Sequence, residues 1–381
     1  MLQYFIIQTL LYVICTYLGY RLSKKNENKY FWMMVITFTL IEGLRFGRGT
    51  DYNLYVGIWD NIQIYNFYSN PEAIVFNFMC ITLQLLGLPY QALIILCSFI
   101  LAYCGFTFMR RYRECLAISI PLFILYTITA ENLYRWWTGF AFILLGIHYY
   151  LNGRKLWFWI FSLVGCGVHI MLLAIVPLLY LLLKRGEKIL LKPWLAVGLT
   201  FFVTMTWNVS NMLYLNNILH SVLGGMEHYQ GYLNRSEDLL TGQWQGEKME
   251  ISVFSYIRVI VYSSFYIFVG YKIIKIKPHL TPYYNFVVIA AIFNPINYLE
   301  MIGRYIRLLL VFQCLLGSYC YLYVLKHYVK TNAITIILSI ALIGGNCAQI
   351  IKKNFETNNW HNMYIWNADG RRYVPLIYWQ D

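Results

Sequence analysis

Five arginines, one histidine and one aspartate are the residues of this chain whose types and settings suit chemistry. Arg45 and Arg48 stand in the run Glu42-Gly43-Leu44-Arg45-Phe46-Gly47-Arg48-Gly49-Thr50-Asp51-Tyr52-Asn53-Leu54-Tyr55, directly after an apolar stretch. Arg135 follows Glu131-Asn132-Leu133-Tyr134 at the head of another, and Arg304 and Arg307 stand one helical turn apart at the head of a third. A guanidinium fork binds phosphate oxygens two at a time and stays charged when partly buried. Ionisable residues at membrane depth are functional candidates by default. The plainer reading makes Arg45 and Arg48 interface arginines reaching outward. It makes Arg135 and Arg304 helix staples to Glu131 and Glu300, each four residues away.

His169, in Gly165-Cys166-Gly167-Val168-His169, is a candidate general base, although a lone histidine in an apolar run is more often structural. Asp51 is the competing base, but two neighbouring arginines should keep its carboxylate ionised and weakly basic. Tyr52 and Tyr55 complete a candidate sugar- and phosphate-binding set. His148, near the inner end of its apolar segment, is set aside. His220, His228 and His361 have no second ligand at metal-binding spacing, and Arg258 has no evident partner. There is no P-loop, no G-x-S-x-G and no H-E-x-x-H. The sequence therefore predicts no metal site and no cofactor.

The elements that must position these residues are membrane helices. Hydrophobic residues make up 59% of the 381 and charged residues only 12%, against roughly 25% charged in a soluble domain. The expected fold is all-α, a single polytopic bundle over 1–381. About twelve spans are expected, at 2–20, 30–44, 90–109, 115–130, 136–151, 156–168, 170–183, 194–210, 252–271, 283–300, 306–325 and 332–350. The net charge of +13 does not point to nucleic acid, because the cations sit in short gaps between apolar segments. All nine cysteines lie in or beside apolar segments without a C-x-x-C pair and read as small hydrophobes.

Basic loops prefer the cytoplasm. Six inner loops collect more than half of the 30 lysines and arginines, while most of the 17 acids fall at the other side. This asymmetry puts Arg110, Lys184, Lys275 and Lys326 inside and Asp51, Gly242 and Asn358 outside. It makes 73–88 a non-crossing helix on the outer side, because a crossing would carry Arg110, Arg111 and Arg113 outward. It also divides 156–183 into a short hairpin with His169 at its outer tip. Residues 45–72 and 211–251 are expected as long outer loops and 351–381 as a tail on the outer face.

With these residues in view, the sequence resembles the EpsG-type, Wzy-like bacterial polysaccharide polymerases. The run from Leu44-Arg45 through Gly49-Thr50-Asp51-Tyr52 to Tyr55 is similar to the signature after that family's second span. Arg135 matches its next arginine, His169 its histidine, and Gly303-Arg304-Tyr305 its late arginine. Trp136-Trp137 depart from the pattern, where a small polar pair is expected. The resemblance implies a GT-C-like architecture in the bacterial cytoplasmic membrane and a metal-independent glycosyl transfer at its outer face. A growing glycan would leave undecaprenyl pyrophosphate and join a hydroxyl of a lipid-linked repeat unit. Arg45 and Arg304 would lead in binding pyrophosphate, supported by Arg48, Arg135 and Arg307. A chain-length regulator and a flippase are the implied protein partners. A lipid-linked oligosaccharide flippase and a membrane O-acyltransferase are the competing functions. No internal repeat supports the first, and no inner-face catalytic constellation supports the second.

Overall fold

A computed structural model describes residues 2–45, 51–62, 73–223, 225, 227–241, 253–327 and 333–355. All regular structure among them is helical. The chain divides into two compact units, Met1–Leu178 with Gly344–Asp381, and Leu179–Ile343.

The first unit starts with α1 (Leu2–Lys25), whose last turn carries Lys24 and Lys25 against the negative end of its dipole. Asn26, at φ 54°, turns the chain into α2 (Asn28–Gly43). After the short α3 (Tyr52–Asn61) and α4 (Ile74–Leu85), Pro89 opens α5 (Tyr90–Arg110). α6 (Leu116–Tyr126) follows, then α7 (Tyr134–Leu151) and α8 (Lys155–Val168). α1 packs on α2 and α6, α2 on α5, α5 on α7, and α7 on α8. α2 and α5 run antiparallel. Gln91 at the start of α5 bonds the Gly43 carbonyl, and Arg110 at its end bonds Asn28.

The chain continues through α9 (Ile175–Arg185). In the second unit, α10 (Pro193–Thr206) packs on α13 (Val253–Ile276) and α14 (Thr281–Phe293). α15 (Glu300–Lys326) lies against α13 and α14. α11 (Val209–Leu223) and α12 (Glu227–Thr241) form a pair, with α12 against α15. α16 (Ala333–Phe355) closes the described chain.

Among the described residues, four helices are long and apolar enough to cross a bilayer, at Phe5–Lys25, Tyr90–Arg110, Tyr256–Ile276 and Glu300–Lys326. α1 leaves Ile6, Leu10, Val13 and Tyr17 exposed, and α10 leaves Phe201, Phe202 and Met205 exposed. In water such surface would be a liability, but in a bilayer it is the expected outside. α4, with 12 residues, reaches only about 18 Å, short of a ~30 Å hydrocarbon core.

Several expected boundaries differ. The expected loop 45–72 contains α3, and the expected loop 211–251 contains most of α11 and all of α12. Polarity marks where water begins, and a polar segment can still be helical. The stretch 194–210 stops at Thr206, and 283–300 stops at Phe293, before Asn294-Pro295. α15 instead begins at Glu300, ahead of its apolar run, so Arg304 and Arg307 lie within its first turns. Glu300 there suits the positive end of the helix dipole.

Candidate active site

Arg45 follows the last turn of α2, three residues after Glu42, and is 6% exposed. Its Nη1 donates to the Glu42 carbonyl oxygen at 3.1 Å and to Glu42 Oε2 at 3.3 Å. Its Nη2 donates to the Ala130 carbonyl at 3.4 Å. Glu42 Oε1 in turn accepts from Gln8 Nε2 at 2.7 Å. Gln91 Nε2 donates to the Gly43 carbonyl and, at 3.0 Å, to that of Arg45. Gly43 itself is required by packing, since a Cβ there would stand 2.9 Å from Ile95 Cα. The guanidinium is thus neutralised inside the protein. Its Nε has no acceptor among the described residues. The cavity beside it, which Ser98 and Thr138 also line, has room for one ordered water.

Asp51 caps α3: its carbonyl accepts from the Tyr55 N–H at 3.0 Å, and its own N–H donates to Asn132 Oδ1 at 2.7 Å. Four tyrosines meet here. Tyr52 stands edge-on to Tyr90 at 5.6 Å, Tyr90 and Tyr134 share a 2.9 Å hydroxyl hydrogen bond, and Tyr55 lies 4.1 Å from Tyr134. Tyr52 and Tyr55 are both buried, so in this arrangement they are core residues and not an open sugar platform. Arg135 sets its guanidinium 5.6 Å from the centre of the Phe76 ring, a cation–π contact. No carboxylate lies within ion-pair distance of it among the described residues. The Glu131 side chain and all of Arg48 lie outside them.

His169 breaks the chain between α8 and a 3-10 turn at Ile170–Ala174, with extended backbone at φ −151° and ψ 107°. Its position follows from glycines. A Cβ on Gly139 of α7 would stand 2.8 Å from the Gly165 carbonyl of α8, and one on Gly167 would stand 2.5 Å from Val75 Cγ2. The close crossing presses the imidazole edge-on against Trp136, 5.0 Å between centres, where it is 3% exposed.

In the second unit, Arg304 Nη2 donates to Glu300 Oε1 at 2.6 Å, the four-residue staple that spacing predicts. The Glu300 N–H donates to Ser236 Oγ of α12 at 3.1 Å. Gly303 allows this start, because Asn297 presses its carbonyl against the glycine. Arg307, one turn on, is half-buried and meets no carboxylate at ion-pair distance among the described residues.

A family model described as the EpsG family matches residues 28–364, most of the chain. The chain belongs to the EpsG family. That is a family of Wzy-like polysaccharide polymerases, so the chain is an integral membrane protein with a polymerase-type role. No curated protein and no solved structure matches it at a significant level.

Within the EpsG match lie all the arginines singled out above, together with Asp51 and His169. One end of the first unit gathers Arg45, Asp51, Tyr52, Tyr55 and Arg135 through Ala130, Asn132, Tyr134 and Tyr90. Four partners escaped sequence reading: Glu42, Gln8, Gln91 and Asn132. Glu42 had a usable signal in its spacing from Arg45. Gln8, Gln91 and Asn132 had none, because their contacts span 34 to 81 residues of chain.

Proposed function

We propose that this EpsG-family protein polymerises lipid-linked glycans at the outer face of the bacterial cytoplasmic membrane. The growing glycan is carried on undecaprenyl pyrophosphate, and the acceptor is a lipid-linked repeat unit. The observation that carries the reading is the family match over residues 28–364. Two half-buried arginines without carboxylate partners among the described residues, Arg135 and Arg307, agree with it.

A hydroxyl of the repeat unit attacks the anomeric carbon of the growing glycan. The bond from that carbon to the pyrophosphate oxygen breaks, and the hydroxyl proton passes to a base. The pyrophosphate leaves with added negative charge, which fixed cations stabilise. Within the first unit Arg135 takes the leading phosphate contact, because no carboxylate among the described residues pairs with it; within the second, Arg307 stands in the same condition. Arg45 and Arg304, each paired with a glutamate, position their surroundings. His169 is the proposed base, with Asp51 as the alternative. Burial of His169 makes its part conditional on a local opening at the α8 break when substrate binds.

Incubating purified protein with a lipid-linked repeat unit tests the reading. A ladder of product lengths is the expected result. Transfer of the intact lipid-linked unit across vesicles, with no growth in length, would replace polymerase by flippase.

A further inference from the structure

At the end of the first unit opposite Arg45, α2, α5 and α7 line an open cleft. Two arginines stand on it. Arg110 Nη2 donates to Asn28 Oδ1 at 2.7 Å, and Arg111 Nη1 donates to Asn152 Oδ1. Both holders are neutral amides. No carboxylate lies within ion-pair distance of either arginine among the described residues. Glu27, on the neighbouring turn, is paired with Lys29 at 2.5 Å. Asn152 Nδ2 lies 3.0 Å from His148 Nε2. With that nitrogen accepting, His148 Nδ1 carries the proton, and it has no acceptor among the described residues. Two arginines are therefore held at one cleft without a carboxylate at ion-pair distance among the described residues, and His148 also lines it.

The cleft continues into apolar surface. Trp32 stacks on Tyr103 at 5.7 Å, and Tyr103 stacks on Phe99 at 5.8 Å. Along α2, Trp32, Ile36 and Leu40 recur every fourth residue and are 44%, 52% and 51% exposed. They form one stripe running from the arginines along the helix.

We propose that this cleft binds the phosphate headgroup of an anionic phospholipid, with an acyl chain along the Trp32–Ile36–Leu40 stripe. The stripe is what selects a lipid over free phosphate, since a soluble anion gains nothing from it. The charge asymmetry of the loops assigns this end to the cytoplasmic side, where anionic headgroups meet basic clusters. The site is separate from the polymerase reading and does not depend on it.

The test is native mass spectrometry of the full chain in detergent, titrated with phosphatidylglycerol or with phosphatidylcholine. Preferential retention of phosphatidylglycerol is expected. Arg110→Gln with Arg111→Gln should weaken it by about tenfold or more, since two charge-assisted contacts are lost. Asn28→Asp with Asn152→Asp keeps side-chain size and gives each arginine a carboxylate. It should cause a similar loss, and it serves if the arginine variant does not fold. Lys184→Gln with Arg185→Gln should change nothing. Equal retention of the two lipids, or variants that retain phosphatidylglycerol like the parent, would overturn the proposal. So would displacement of the lipid by inorganic phosphate at similar concentration.

Discussion

The two ends of the α2–α5 pair treat arginine in opposite ways. At one end Arg45 is buried and bonds the Glu42 carboxylate, itself held by Gln8, and the carbonyls of Glu42 and Ala130. At the other, asparagines hold Arg110 and Arg111, Arg110 also lying over the Phe31 ring, and both open onto a cleft. The same residue type is a structural part in the first case and a charge offered to a ligand in the second. A buried ion pair need not add net stability, but removing one partner leaves a charge that the interior cannot solvate. An amide partner orients a guanidinium without cancelling it. What surrounds an arginine therefore says more than its place at a span end.

The largest expected effect tests whether the Arg45 end is catalytic at all. His169→Gln is expected to fold and bind lipid-linked substrate but to lose about 10²–10⁴-fold in polymerisation rate, the usual worth of a general base. Product length against expression level, with binding measured separately, reads it. Normal polymer would return His169 to a packing role beside Trp136 and leave Asp51 to be tested.

Next comes the structural side of the comparison. Glu42→Gln removes the counter-charge of buried Arg45 and should cost roughly 3–5 kcal/mol of stability, as breaking buried pairs does. Unfolding in detergent measures it. Asn28→Ala, at the other end, should change unfolding far less. A Glu42→Gln protein as stable as the parent would mean that Arg45 is not anchored as described.

Smaller again is the effect at Arg135. Losing one charge-assisted contact made in the transition state costs roughly 1.5–3 kcal/mol, or about 10–150-fold in rate. Arg135→Ala should show that loss with unfolding unchanged, and Arg135→Lys should recover little, for want of the planar fork. If Arg45→Ala loses activity at unchanged stability while Arg135→Ala keeps it, the two roles are the reverse of those proposed.

The smallest effect should come from chelation. No histidine in the sequence has a second ligand at metal-binding spacing, so activity is expected to survive EDTA. Loss restored by Mg²⁺ or Mn²⁺ would reveal a metal requirement.

Part of the candidate site's local structure was legible, because its signals are local. Arg304–Glu300 follows from four-residue spacing. The break at His169 falls where the preference of basic loops for the cytoplasm divides the 156–183 apolar run. Helices within polar stretches were not legible, because α12 mixes acids and tyrosines with little overall hydrophobicity.

By itself, the sequence determined the solvent of this protein. Long apolar runs with charge in the gaps can satisfy their backbones only as helices in lipid. It also determined which arginines stand at helix ends, since apolar length and cation position mark those ends. Only the tertiary structure decided which of those arginines still carry charge to offer. Gln8 reaching Glu42, Ala130 meeting Arg45, and asparagines in place of acids beside Arg110 and Arg111 are contacts between segments distant in the chain. Electrostatic neutralisation depends on separation in space, whatever the separation in sequence, so no reading of spacing alone can supply it.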